Sequence, residues 1–292
     1  MMRLVTGLLI VVFFATSPGT SNLRAGDTGL SVEVKLVEVY ASVRNHKGKP
    51  VPGLKEDSFE VREEDHPQSI RFFESESSGL TVALLIDSSG SVAKDLPIIK
   101  KAGATLLSGI KVEDTFGLFT FTNRLNILYP FRQNSQAALD AFMKINAGGR
   151  TALYDCLAQM IRGMKDIRGR KAILVLTDGD DNASLLPKAV ALTAVRKAGV
   201  PLYTLAVGRA CEDKVLFKRL EQLAQNTGGL CLPVKSSNEM VKVFSQVVED
   251  LRSLYLMGYY ANGDRDGRYR SISVLLPRQS GLKVRAKKGY WP

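Results

Sequence analysis

Thr81-Val82-Ala83-Leu84-Leu85-Ile86-Asp87-Ser88-Ser89-Gly90-Ser91 is the stretch on which the reading of this chain turns. Six uncharged, mostly apolar residues run straight into a carboxylate, and two hydroxyls follow at alternating positions. A continuous apolar run of this length suits a strand buried on both faces, as in a parallel sheet covered by helices. The polar residues then fall where the strand leaves its sheet. Their donors are all oxygen and mostly uncharged, which suits a hard divalent cation, Mg2+ before Ca2+.

The same texture recurs downstream. Apolar strands are expected at 115–121, 171–177 and 201–207, with a shorter one at 230–234 and an antiparallel one at 125–131, which the cap Asn134 or Ser135 follows. Helix signals lie between them. Ser184 is the expected cap of a helix that Gly199 ends, Gly228 ends the next, and Ser236 with Glu239 has capping-box spacing for a last helix over 237–255. Strands alternating with helices predict an α/β fold with a doubly wound, mainly parallel, Rossmann-like sheet over 80–254.

Both flanks read differently. Residues 26–79 hold β-branched and aromatic runs separated by Asn45-His46-Lys47-Gly48, Pro52-Gly53 and Asp65-His66-Pro67, and 75–79 reads as a linker. Residues 255–292 read as strands at 255–260, 269–276 and 282–290, separated by Asn262-Gly263-Asp264 and Gln279-Ser280-Gly281. Each set alone is too small for a robust sandwich, so the two are expected to pack as one discontinuous all-β domain. Residues 1–25 begin Met1-Met2-Arg3 and continue with twelve mostly apolar residues, the pattern of a cleaved secretory signal. That run is shorter than the ~20 residues of a membrane span. A secreted or periplasmic location follows, with an uncleaved N-terminal anchor as the alternative.

Composition narrows the chemistry. The 292 residues carry a net charge of +11, and 251–292 supplies +7 of it, nine basic residues against Asp264 and Asp266. Such a segment keeps a protein soluble and offers weak association with anionic envelope surfaces. No aromatic-basic or helix-turn-helix pattern points to nucleic acid. The three cysteines, Cys156, Cys211 and Cys231, form no C-x-x-C, and the only histidines are His46 and His66. Zinc-finger ligation and Cys/His catalysis therefore find no support, and the cysteines read as small packing residues, with one disulfide as the alternative for an exported protein.

In a parallel sheet, ligands bind at the carboxyl ends of the strands. Asp87 ends one apolar strand and Asp178 ends another, Ile173-Leu174-Val175-Leu176-Thr177-Asp178-Gly179. The loop Gly148-Gly149-Arg150-Thr151 delivers a further hydroxyl just before a helix. Asp87, Ser89, Ser91, Thr151 and Asp178 together offer two carboxylates and three hydroxyls. An octahedral shell filled by these five keeps one position open. Asp155, Asp180 and Asp181 read as nearby solvated or supporting acids.

This order of elements, D-x-S-x-S, then a loop threonine, then a strand-end aspartate, resembles the metal-ion-dependent adhesion site (MIDAS) of von Willebrand factor type A domains. The resemblance covers about 80–250, and Arg150 departs from it by interrupting the step from glycine to threonine. It implies that Ser89, Ser91 and Thr151 bind the cation through their hydroxyls. It also implies that Asp87 and Asp178 act through water or by orienting those hydroxyls. The chain as a whole, with its ending Gly289-Tyr290-Trp291, is similar to exported acidobacterial proteins that carry this domain. The expected function is binding, without catalysis, of a partner protein's Asp or Glu at a Mg2+ ion, with Mn2+ or Ca2+ as alternatives. One rival is a Mg-dependent hydrolase or phosphoryl-transfer enzyme. It is disfavoured because Ser89 stands where a second aspartate would serve as acid/base, and because no G-x-S-x-G elbow occurs. The other is a structural envelope protein with a fold-stabilising cation.

Overall fold

The computed structural model describes residues 36–133, 136–261 and 266–292. The expected signal segment, the caps Asn134 and Ser135 and the turn at Asn262-Gly263-Asp264 lie outside the described residues. The described chain starts with β1 (Leu36–Arg44), β2 (Glu60–Glu63), β3 (His66–Gln68) and β4 (Phe72–Glu74). The alternating part follows with β5 (Leu80–Asp87), α1 (Leu96–Gly109), β6 (Thr115–Phe121), β7 (Leu125–Gln133), α2 (Gln136–Met143) and α3 (Leu153–Gly163). It continues through β8 (Arg170–Thr177), α4 (Lys188–Ala198), β9 (Leu202–Ala206), α5 (Lys214–Gln225), β10 (Cys231–Pro233) and α6 (Ser237–Arg252). The chain closes with β11 (Tyr255–Tyr260), β12 (Arg270–Leu275), β13 (Lys283–Ala286) and β14 (Gly289–Tyr290).

Six strands form one sheet in the order β10-β9-β8-β5-β6-β7, parallel except for β7. Alternation along β5 shows why the sheet is covered twice. Val82, Leu84 and Ile86 face a core shared with Ile99 of α1, Phe142 of α2 and Phe244 of α6. Ala83 and Leu85 face the opposite core, with Leu157 of α3, Val195 of α4 and Leu220 of α5. All five β5 residues are 0% exposed, and burying each larger one is worth roughly 1.5–3 kcal/mol. Because β5 is central, its carboxyl end opens between β6 on one side and β8 on the other.

The flanking segments form two antiparallel sheets, β13-β1-β11-β4 and β14-β12-β2-β3, each built from both ends of the described chain. Their shared core holds Val39, Val61, Tyr255, Met257, Tyr259 and Ile272. The 282–290 stretch, expected as one strand, is two strands in different sheets. β13 pairs with β1 and β14 pairs with β12. The crossing needs Gly289, where a Cβ would lie 2.2 Å from the carbonyl oxygen of Arg270. Residues 75–79 are more than a linker. The carbonyls of Ser75 and Ser78 accept from Nη1 of Arg170 at 2.7 and 2.8 Å, while Nη2 reaches the carbonyls of Leu251 and Arg252 at 2.9 and 2.8 Å.

A buried carboxylate joins the α/β layers to the strands around them. Asp250 of α6 is 0% exposed and accepts from Ser42 Oγ at 2.8 Å, Arg44 Nη2 at 2.5 Å, Tyr203 Oη at 2.6 Å and Arg285 Nη2. Part of the basic C-terminal charge is held internally. Arg285 pairs with Asp250, Arg270 pairs with Glu63 at 3.1 Å, and Lys287 is buried. Arg252, Arg268, Arg278, Lys283 and Lys288 are the exposed basic residues of that segment among the described ones. No helix among the described residues is long and apolar enough to cross a membrane.

Candidate metal centre

Asp87 ends β5 and is fully buried. Its Oδ1 accepts the backbone N–H of Ser89 at 2.9 Å, and its Oδ2 accepts the hydroxyl of Thr177 at 2.7 Å. Thr177 ends the neighbouring strand β8, so this bond ties the two strand ends together. Burial pushes the Asp87 carboxyl up to about 6, against the lowering effect of the Thr177 and Ser89 hydrogen bonds, and the nearby Asp178 charge adds to the rise. A carboxylate held ionised here gains from a cation beside it.

After Asp87 the chain turns through a short helical turn, Gly90–Val92. The hydroxyls of Ser89 and Ser91 lie 3.0 Å apart, Ser89 buried and Ser91 exposed. Ser88 takes no part in this pair. Its N–H and hydroxyl donate to the carbonyl of Phe121, at 2.9 and 3.2 Å, and so fasten the turn to the end of β6.

The glycine loop is laid directly against this turn. Gly148 N–H donates to Ser88 O at 2.8 Å, and Gly90 N–H donates to Gly149 O at 3.2 Å. Gly149 has φ +86°, a conformation side chains disfavour. Arg150 is exposed and donates to the carbonyl of Asn182. Thr151 is 0% exposed, with its N–H on Asn182 Oδ1 at 3.0 Å and its carbonyl accepting from the N–H groups of Asn182 and Ala183. Its hydroxyl is buried and meets no hydrogen-bond partner among the described residues.

That hydroxyl is spare because another segment does the capping. α3 begins after Ala152, and the N–H of Tyr154 is taken by Asp181 Oδ2 and Ser184 Oγ, both at 3.1 Å. The N–H of Asp155 also goes to Ser184 Oγ, at 3.2 Å. Ser184 therefore caps α3 and not α4, which starts after Pro187 with no side-chain cap. In return the Asp155 carboxylate accepts the N–H groups of Leu185 and Leu186 at 2.9 and 2.8 Å. Asp155 and Asp181 thus brace the 181–186 loop.

Asp178 follows β8 and is 1% exposed. Its Oδ1 accepts Asp180 N–H at 3.2 Å, and its Oδ2 faces Nε and Nη2 of Arg209, both at 3.3 Å. Arg209 Nη2 also pairs with Asp180 at 2.6 Å. Asp95, at the start of α1, is half-buried, and burial followed by the charge of Asp178 raises its carboxyl. All five expected residues thus lie at one sheet edge, Asp87 as the last residue of β5 and the other four on connections between strands. The sequence reading missed Thr177, Asn182, Asp95 and Arg209. Only Thr177 carried a signal, its place beside Asp178 at a strand end.

The residue set fits a divalent cation on one observation above the rest. A buried threonine hydroxyl is left without a partner beside two buried carboxylates and a close pair of serine hydroxyls. Buried polar groups are nearly always satisfied, and an ion or a water is one explanation of an orphan. Glu76 Oε2, Arg170 Nε, Arg196 Nε and Arg285 Nε are further orphans elsewhere among the described residues, so it is the oxygen-rich company of Thr151 that points to a cation. Among the described residues no cluster of three or more His, Cys, Asp and Glu side chains could hold a metal, so any cation site here must lean on hydroxyls.

Comparison with known proteins agrees with this architecture. The family model of the von Willebrand factor type A domain matches residues 81–246. The fold is similar to a von Willebrand factor type A structure from Catenulispora acidiphila, with TM-score 0.54 at 13% identity over 89% of this chain and 75% of that one. It is also similar to proximal thread matrix protein 1 of the mussel byssus, solved with a zinc-occupied MIDAS motif. That match has TM-score 0.52 at 16% identity over 66% of this chain and 50% of that one. A third likeness is to BatB, a conserved hypothetical protein from Bacteroides thetaiotaomicron, with TM-score 0.50 at 19% identity over 60% of this chain and 100% of that one. The comparison with curated proteins finds no match. At these identities the structural likenesses speak to fold alone, but the family model covers more than half of the chain, and the chain belongs to the von Willebrand factor type A domain family.

Proposed function

We propose that this chain is an exported, divalent-cation-dependent protein-binding module that takes an Asp or Glu side chain from a partner. The unpartnered buried hydroxyl of Thr151 carries the reading. Domains of this family are in general interaction modules, which supports binding over catalysis.

In this reading Ser89, Ser91 and Thr151 hold the cation through their hydroxyls. Asp87 and Asp178 act through water or by orienting those hydroxyls. Asp87 suits that indirect role because Thr177 and the Ser89 N–H already engage both its oxygens. Neutral ligands leave most of the ionic charge uncompensated, and the bound ion supplies an open position that favours an anionic oxygen. Mg2+ is the proposed ion, with Mn2+ or Ca2+ as alternatives, and the zinc of the mussel protein shows that such a site accepts a softer ion there. Residues 80–254 would form the binding domain, 26–79 and 255–292 its β platform, and 1–25 a cleaved signal segment. The exposed basic residues of the platform offer weak contact with an anionic envelope.

The test is a crosslinking pulldown from native envelope with Mg2+ or EDTA, using wild-type chain and Asp87→Ala. Partner recovery should fall with EDTA and in the variant. Recovery indifferent to both would sink the reading. A melting temperature raised by Mg2+ with no cation-dependent partner would favour a purely structural cation.

A further inference from the structure

Four aspartates converge on the edge where β5, β8 and β9 end: Asp87, Asp95, Asp178 and Asp180. Among the described residues, Arg209 alone forms ion pairs with any of them. It sits just after β9, in the turn Gly208–Cys211. The turn's backbone is fixed, since Arg209 O accepts the N–H groups of Glu212 and Asp213 at 3.1 and 2.9 Å. Gly208 leaves room for the acids: a Cβ there would lie 2.9 Å from Asp95 Oδ2 and 3.8 Å from the Asp178 Cβ. The Arg209 side chain itself is 57% exposed, while Asp178 is 1% exposed.

We infer that Arg209 is a tethered counter-ion that holds Asp178 when no divalent cation does and leaves it when one does, so that it sets the cation affinity of the site. The inference rests on the cation-site reading above. The geometry suits an exchange. The contacts to Asp178 are long, 3.3 Å, and made by an exposed side chain, so they can be given up once a cation compensates the buried carboxylate in their place. The contact to Asp180 is short, 2.6 Å, and gives the guanidinium somewhere to stay after Asp178 is released. An oxygen engaged by a guanidinium is a poorer partner for a metal-bound water or an orienting hydrogen bond. The positive charge itself also repels a second cation at the same edge.

Arg209 also lines a cleft of about 790 Å3 beside the site, with Ser91, Lys94, Asp95 and Lys235. Neither lysine forms an ion pair among the described residues. A guanidinium freed from Asp178 therefore stays at a basic rim next to the position where a partner carboxylate arrives.

Mn2+ titration, followed by the electron paramagnetic resonance of free Mn2+, separates the alternatives on the full chain. Arg209→Gln should bind Mn2+ about tenfold more tightly than wild type, as expected for removing one charge a few ångströms from a divalent ion. In wild type, the side-chain Nε–H signal of Arg209, assigned by its loss in the variant, should shift as Mg2+ is added. Circular dichroism should show both proteins folded, since the side chain is largely exposed. Equal or weaker Mn2+ binding by Arg209→Gln, or an Arg209 signal unmoved by Mg2+, overturns this inference alone. Absence of binding by both proteins overturns the cation-site reading and this inference with it.

Discussion

Asp250 and Thr151 are both wholly buried polar residues, yet their surroundings are opposite. Asp250 collects donors from Ser42, Arg44, Tyr203 and Arg285, which come from β1, β9 and β13. Thr151 keeps its backbone groups occupied and leaves its hydroxyl with nothing. The Asp250 cluster is closed and serves cohesion between the α/β layers and the strands around them. The Asp87–Thr151–Asp178 edge is open and, in our reading, is completed by a cation and a partner. Buried polarity of itself therefore does not mark function here, and nor does one orphan atom, since Arg285 Nε beside Asp250 also lacks a partner. What sets the edge apart is an unpartnered ligand-type hydroxyl in a set of carboxylates and hydroxyls.

The contrast can be broken most forcefully at Asp250. Asp250→Ala leaves Arg285 and Arg44 without their buried counter-ion, and unfolding free energy should drop by about 3–5 kcal/mol, measured by denaturant titration. A drop under about 1 kcal/mol would mean that the cluster is no structural lock. At the open edge the effect should require the cation. Mg2+ at ~100 times its dissociation constant should stabilise wild type by about 2.7 kcal/mol and leave Asp87→Ala unmoved, read as melting temperature with and without EDTA.

Acid should weaken the closed cluster more gently than the substitution does, because a protonated carboxyl keeps part of its hydrogen bonding. Burial opposes ionisation of Asp250, but Arg285, Tyr203, Arg44 and Ser42 together hold its carboxyl below the usual value. A depressed folded-state value means a stabilisation fully present above the unfolded pKa of ~3.9 and lost as pH falls through the folded one. Stability should therefore decline more steeply below about pH 4 in wild type than in Asp250→Asn. Equal slopes would remove Asp250 from the acid response. The smallest effect on stability should come from Thr151→Val. With no bond to lose, cation-free stability should change by less than about 1 kcal/mol, while cation affinity falls by at least about tenfold, since a direct ligand is removed where loss of a partner behind the ligands already costs that much. A large cation-free loss would show that the hydroxyl has a structural partner.

Legibility in the sequence followed the range of the interactions. The β5 and β8 runs, with Asp87 and Asp178 at their ends, were readable because burial on both faces leaves a continuous apolar signature. The capping box Ser236–Glu239 was readable because its partners lie three residues apart, and Ser236 Oγ does accept Glu239 N–H at 3.3 Å. Ser184 was misassigned because its real partners, Tyr154 and Asp155, lie about thirty residues back along the chain. The last β segment was read as one strand because nothing local tells a strand that switches sheets from one that does not. Arg209 reads as one more surface arginine until β9 is seen to end beside β8.

The sequence by itself determined which residues are apolar on which period, and so the doubly wound sheet and the ends of its strands. It also determined the kinds of oxygen available there. Only the tertiary structure decided that Thr151 has a spare hydroxyl, that Arg209 pairs with Asp178 and Asp180, and that strands from both flanks share sheets. Periodicity is written into every few residues, whereas a hydrogen bond between residues 31 or 208 positions apart exists only once the chain between them has been placed.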